Sequence, residues 1–219
     1  MKNLIFDCDG VVLNSMALHT EIEAEAYQAL GMSVRASDLV IRFSGVPQKE
    51  VSKTLMAETG ITVPANFNDI LATRKEIEFK SKLQAMPGLT DAIEELAHIP
   101  RGIASGSDMA ALKLMLTHTG LYHKFAPHIY SSELVAKGKP HPDVFLHAAA
   151  NMGYDTRDCL VIEDAPEGVK AAKAAGMRVF GFIGGTHCTP DHTRLLKDAG
   201  AEVIFRDMRM LPEIMKERA

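Results

Sequence analysis

A chain of 219 residues, 47% hydrophobic and 24% charged, is long enough to bury a core and has the balance of a water-soluble globular protein. Its net charge of −4, with no Lys/Arg-rich block, excludes a nucleic-acid or anionic-membrane surface, and no apolar run is long enough to cross a bilayer. An apolar start that meets acids at once is no secretory signal, and Cys8, Cys159 and Cys188 form no CxxC pair, so they read as packed thiols in the cytoplasm.

The first element is an apolar run at 3–6, ending in Asp7-Cys8-Asp9-Gly10. From about Met16 to Leu83 the pattern is helical throughout: apolar positions three and four apart predict amphipathic helices at 17–31, 37–43, 47–60 and 67–83, with Gly31 and Gly60 as C-caps. Short apolar runs then recur at 102–105, 159–163, 178–183 and 201–205, separated by helical stretches such as 107–119, 141–152 and 166–175. Alternating strands and helices predict right-handed βαβ units, and nearly continuous apolar strands predict a parallel sheet buried on both faces. The expected fold is therefore α/β: a Rossmann-like, three-layer parallel-sheet core of residues 1–15 and 84–219, with a small α-helical cap domain inserted at 16–83.

Ligands in a parallel sheet collect beyond the carboxyl ends of the strands, so the residues placed there carry the chemistry. The first strand ends in Asp7 and Asp9, which strand alternation would turn toward one side. The run at 102–105 ends in Ser105-Gly106-Ser107 with a helix directly after it, and that at 159–163 ends in Glu163-Asp164 before Pro166 opens another helix. Lys139 precedes a helix start marked by Pro140 and Pro142. Taken singly these are a turn, a helix cap, a solvated lysine and acids at a helix dipole. Together, four acids repel an anion that a serine hydroxyl, helix-terminal amides and a lysine attract. A divalent cation reconciles them: Mg²⁺ takes hard oxygen ligands and is commonly shared between carboxylates and a substrate phosphate.

In this order, "DCDG", "SGS", "KGKP" and "VIEDAPEGVKAA" make the chain resemble the haloacid dehalogenase-like hydrolase superfamily, in the branch with a helical cap after the first motif. The resemblance implies that Asp7 is the nucleophile and forms an aspartyl phosphate. Asp9 would be the general acid and base. Ser105, the Gly106 amide and Lys139 would hold the phosphate, and Mg²⁺ would sit among Asp7, Asp9 (through its main-chain carbonyl), Asp164 and the adjacent Glu163. Dehalogenases of the superfamily lack an acid where Asp9 stands, so Asp9 argues for phosphate chemistry. The reaction implied is Mg²⁺-dependent hydrolysis of a small phosphorylated metabolite, a sugar or sugar-acid phosphate. The alternatives are a β-phosphoglucomutase-type phosphoryl transfer and a noncatalytic phospho-ligand-binding module.

The cap bears on that choice. "RFSGVPQKEV" resembles a substrate-specificity loop, with Gly45 and Val46 as its central pair, although a helix end and a turn fit the same letters. β-Phosphoglucomutases carry an arginine where Gln48 aligns, which weakens the mutase reading unless Arg42 or Lys49 substitutes; His19 matches their cap-hinge histidine and favours it. His19, Arg42, Gly45, Val46 and Gln48 in the cap, with Ser107 in the core, are the candidate substrate contacts. "THCTPDH" at 186–192 offers His187, Cys188, Asp191 and His192 to a soft metal, but its place after a strand, with Pro190 and Asp191 opening a helix, predicts a surface loop. Nothing in the pattern fixes an oligomeric state, and a monomer is compatible with it.

Overall fold

The computed structural model describes residues 2–43, 46 and 48–218. It divides into two compact units, Met1–Asn14 with Gln84–Ala219, and Ser15–Leu83.

The smaller unit is helical: α1 (Met16–Ala29), α2 (Ala36–Phe43), α3 (Gln48–Thr59) and α4 (Phe67–Lys82). Its centre forms around Tyr27, which is fully buried. The Tyr27 ring lies 4.8 Å from that of Phe67, and its hydroxyl pairs with Ser52 Oγ at 2.8 Å. The hydroxyl is satisfied while the ring is buried, as a core tyrosine requires. Gly31 follows α1 at φ +92°, the left-handed conformation that ends a helix.

The larger unit is built on a six-stranded sheet in the order β3-β2-β1-β4-β5-β6, with every pairing parallel. The strands are β1 (Asn3–Phe6), β2 (Arg101–Ser105), β3 (Ile129–Ser131), β4 (Cys159–Glu163), β5 (Arg178–Phe182) and β6 (Val203–Phe205). Helices α5 (Leu89–Glu95), α6 (Met109–His118), α7 (Tyr122–Phe125), α8 (Asp143–Met152), α9 (Pro166–Ala174), α10 (His192–Ala199) and α11 (Leu211–Glu217) complete it. On one face Ile5, Val161 and Val179 pack with Phe145, Ala148, Val169, Ala172 and Leu196. The alternating residues Leu4, Phe6, Leu160, Ile162 and Phe180 are buried as well, so the sheet is covered on both sides. Each such aliphatic or aromatic side chain contributes about 1.5–3 kcal/mol by leaving water.

Five of the strands lie within a residue or two of the apolar runs. No apolar run predicts β3, whose three residues are too few for any periodicity. Strand order reverses about β1, which lies between β2 and β4. That is the topological switch point, where a crevice opens beyond the strand ends.

Candidate active site

β1 ends at Phe6, so Asp7 to Gly10 belong to a turn. Val12 N and Leu13 N both donate to Cys8 O at 2.9 Å, and Gly10 N donates to Leu13 O at 2.8 Å. Gly10 sits at φ +83°, and a Cβ on it would also overlap the Asp164 carboxylate. Glycine is required twice there, by handedness and by the approach of Asp164. Asp7 stays in register with the sheet through its N–H, which donates to Ile162 O at 2.9 Å.

Lys139 Nζ joins two strand ends, donating to Asp7 Oδ1 at 2.5 Å and to Glu163 Oε1 at 2.6 Å. The other Glu163 oxygen accepts from Ala165 N at 2.8 Å, so both oxygens of that buried carboxylate are engaged by protein donors. Burial pushes Asp7 well above the usual carboxylate range, against the pull of Lys139 and with added repulsion from Glu163, Asp164 and Asp9. Burial raises Glu163 too, again opposed by Lys139. Burial opposes the charge on Lys139, but the two carboxylates hold its ammonium above the ordinary lysine value.

Asp9 has a different partner: its Oδ2 accepts from Ser107 Oγ at 2.7 Å. The loop carrying Ser107 is pinned from β3, where Ser131 Oγ donates to Ser107 O at 2.7 Å and Ser132 Oγ donates to Ser105 O at 3.1 Å. Ser105 Oγ accepts from Ser107 N at 3.0 Å. The first turn of α6 is supplied with acceptors by the protein itself: Asp108 Oδ1 takes Ala111 N at 2.7 Å and Glu133 Oε2 takes Met109 N at 3.0 Å. The amides expected to await an anion are therefore occupied at positions 107, 109 and 111. Space beside Gly106 is open, with nothing within 4 Å of where a Cβ would stand.

Asp164 is buried and its Oδ2 lies 2.8 Å from His187 Nε2. The stretch 186–191 is a loop with Thr186, Pro190 and Asp191 exposed, but the His187 side chain is only 9% exposed and turns inward to Asp164. Burial works against the imidazolium, but its hydrogen bonds to the Asp164 carboxylate and to Cys188 hold its pKa at about 10. His187 lies in the loop after β5 as Asp7 and Asp164 follow β1 and β4, so the strand-end rule was the signal that could have found it.

Asp7, Asp9, Ser105, Gly106, Ser107, Lys139, Glu163 and Asp164 all lie in the larger unit, at or just beyond the ends of β1, β2 and β4 or before α8. The remaining candidates lie in the helical unit. His19 packs edge-on to Phe79 with ring centroids 4.8 Å apart. Arg42 pairs with Glu58, and its guanidinium lies 4.6 Å from the Phe43 ring centroid. Gln48 Nε2 donates to Tyr27 Oη at 2.8 Å, and Val46 is exposed. Gly45 falls outside the described residues.

A family model described as "haloacid dehalogenase-like hydrolase" matches residues 1–176. The 6-phosphogluconate phosphatase of Escherichia coli is 25% identical over 221 residues, covering 100% of this chain and 96% of the phosphatase. Among solved structures, a haloacid dehalogenase-like protein of Agrobacterium tumefaciens superposes with a TM-score of 0.91 at 35% identity, covering 100% of this chain and 99% of that one. A family hydrolase of Deinococcus radiodurans, solved with bound phosphate and sodium, gives a TM-score of 0.87 at 28% identity and covers 99% of this chain and 96% of that one.

Proposed function

Because this chain belongs to the haloacid dehalogenase-like hydrolase family, we propose that it hydrolyses a small phosphorylated metabolite, a sugar or sugar-acid phosphate, with Mg²⁺, through a phosphorylated Asp7. One observation carries the reading: two carboxylates one residue apart have different partners, Asp7 an ammonium and Asp9 a hydroxyl. That division suits two roles. Asp7 attacks phosphorus, and the bond to the leaving oxygen breaks as Asp9 gives that oxygen its proton. Asp9, now ionised, takes a proton from water, whose oxygen attacks phosphorus and frees Asp7 and inorganic phosphate. Ser107 holds Asp9 in place for both transfers, and Glu163 holds Lys139 against Asp7.

The residues fit a hard cation. Four acids cluster here, Asp7 and Glu163 paired with the Lys139 ammonium, Asp164 with His187 and Asp9 with a hydroxyl, so acids outnumber cations before a phosphate dianion enters. Asp7, the Asp9 carbonyl and Asp164 would hold Mg²⁺; Glu163, with both oxygens engaged, would act on Lys139 instead. When bound, Mg²⁺ supplies charge that keeps Asp7 ionised and offsets the negative charge of the phosphoryl oxygens. A Deinococcus relative that was solved with bound phosphate and sodium is in keeping with binding of an anion and a cation by this family. The Escherichia coli relative, a 6-phosphogluconate phosphatase, supports a sugar-acid phosphate as substrate. The helical unit would supply the contacts that choose among leaving groups, with Gln48 and Val46 as its candidates.

The test is phosphate release from a panel of phosphate monoesters that includes 6-phosphogluconate, with Mg²⁺ and with EDTA. Release that requires Mg²⁺ and is abolished in Asp7→Asn is the expected result. Isomerisation of β-glucose 1-phosphate dependent on a bisphosphate primer would replace the phosphatase with a mutase. Binding without turnover would leave a sensor.

A further inference from the structure

We propose that His187, Cys188 and His192 form a second metal site, for a soft divalent ion of the zinc class, on the loop between β5 and α10. The ligating atoms of these three side chains all lie within 4.8 Å of one another. Cys188 Sγ stands 3.6 Å from His187 Nε2. Zinc bonds of about 2.3 Å to sulfur and about 2.0 Å to nitrogen, set at a tetrahedral angle, separate two such ligands by about 3.5 Å. The pair therefore already has the spacing of two zinc ligands. The rings of His187 and His192 stand edge-on, with centroids 5.7 Å apart, which lets nitrogens of both rings converge near the thiol.

Hydrogen bonds already reach both rings: His187 Nε2 lies 2.8 Å from Asp164 Oδ2, and His192 Nδ1 accepts from Thr189 N at 3.4 Å. The His187 side chain is 9% exposed, yet its Nδ1 has no partner among the described residues. The donor set also selects the ion. A thiolate with two imidazoles suits zinc and discriminates against Mg²⁺, which prefers oxygen. Asp191, the fourth candidate of the sequence stretch, is 75% exposed and turned toward Arg194, so it is no ligand. The fourth position would fall to water or to Asp164 Oδ2, which already touches His187 Nε2 at 2.8 Å. Metal binding displaces the protons of Cys188 and of His187 Nε2. Because Asp164 also serves the proposed Mg²⁺ site, a zinc-class ion here would compete for that carboxylate; this consequence, unlike the site itself, rests on the proposed hydrolysis.

Titration of the full chain with Co²⁺ in excess Mg²⁺, which fills the oxygen-ligand site of the acids, reads the soft site without any substrate. Saturation at one equivalent is expected, with a sulfur-to-cobalt charge-transfer band, intense visible bands of tetrahedral cobalt, and bleaching by one equivalent of Zn²⁺. Cys188→Ser should lose the charge-transfer band. His192→Ala, which keeps the thiol, should bind Co²⁺ at least about tenfold more weakly, since even outer-shell changes cost that much. Far-UV circular dichroism verifies that both variants fold. A pale octahedral spectrum, a thiolate band that survives in Cys188→Ser, or unaltered Co²⁺ affinity in His192→Ala would each overturn the proposal. None of these readings depends on phosphatase activity, so the site and the proposed reaction fail or stand separately.

Discussion

Gly168→Ala sets two physical effects against each other. Gly168 is buried in the first turns of α9, where alanine would ordinarily stabilise the helix by up to about 1 kcal/mol. A Cβ at this position, however, would overlap the Glu163 carboxylate and stand 2.6 Å from its Oε2. That carboxylate is 1% exposed and cannot swing into solvent. It must leave Lys139 Nζ, 2.6 Å away, and Ala165 N, 2.8 Å away. A hydrogen bond to a charged group contributes about 1.5–3 kcal/mol, and a buried charge left without its partner costs more than the bond was worth. Less the helix term, the net loss is about 2–4 kcal/mol. Urea unfolding at unchanged m-value measures it, and turnover of a phosphate monoester in parallel should fall as Lys139 loses one of its two anchors. A variant as stable as the parent, with undiminished turnover, would show that Glu163 is not fixed as described and sink the reasoning.

Other consequences are as direct. Ser107→Ala removes the hydroxyl that holds Asp9, and loss of a bond of about 1.5 kcal/mol predicts a drop of about tenfold in kcat for alkyl phosphates; a KM change alone would contradict it. Asp9→Asn should slow poor leaving groups far more than nitrophenol, which needs little protonation, and equal loss on both would remove Asp9 as the acid. In EDTA, the raised Asp7 and Glu163 stabilise the fold fully below about pH 4, the unfolded carboxylate value, and that contribution is lost as pH rises through their folded values. The raised Lys139 loses its contribution only above its own unfolded value, about 10.5, so it leaves the neutral window alone. Mg²⁺ should therefore raise Tm more at pH 8 than at pH 5; a shift of equal size at both would count against Mg²⁺ bound at these acids.

Much of this molecule was legible in its letters. The apolar runs at 3–6 and 159–163 coincide with β1 and β4, because a strand buried on both faces must be apolar throughout. Acids, serines and a lysine stood at successive strand ends, and parallel topology brings strand ends together whatever the chain between them does. Only the tertiary structure decided how those groups are partnered. β1 stops at Phe6, so strand alternation does not orient Asp9; the turn closed by Gly10 and the hydroxyl of Ser107 do. The three-residue β3, invisible to periodicity, carries the Ser131 that anchors the Ser107 loop. Glu163 and Asp164 are neighbours in sequence, yet one faces Lys139 and the other His187. His187 lies in a loop, yet its ring is buried, since burial of a polar ring is set by what the fold places beside it. Sequence pattern determines which groups reach the end of the sheet; pairing among them is set by distances of a few ångströms, which only packing establishes.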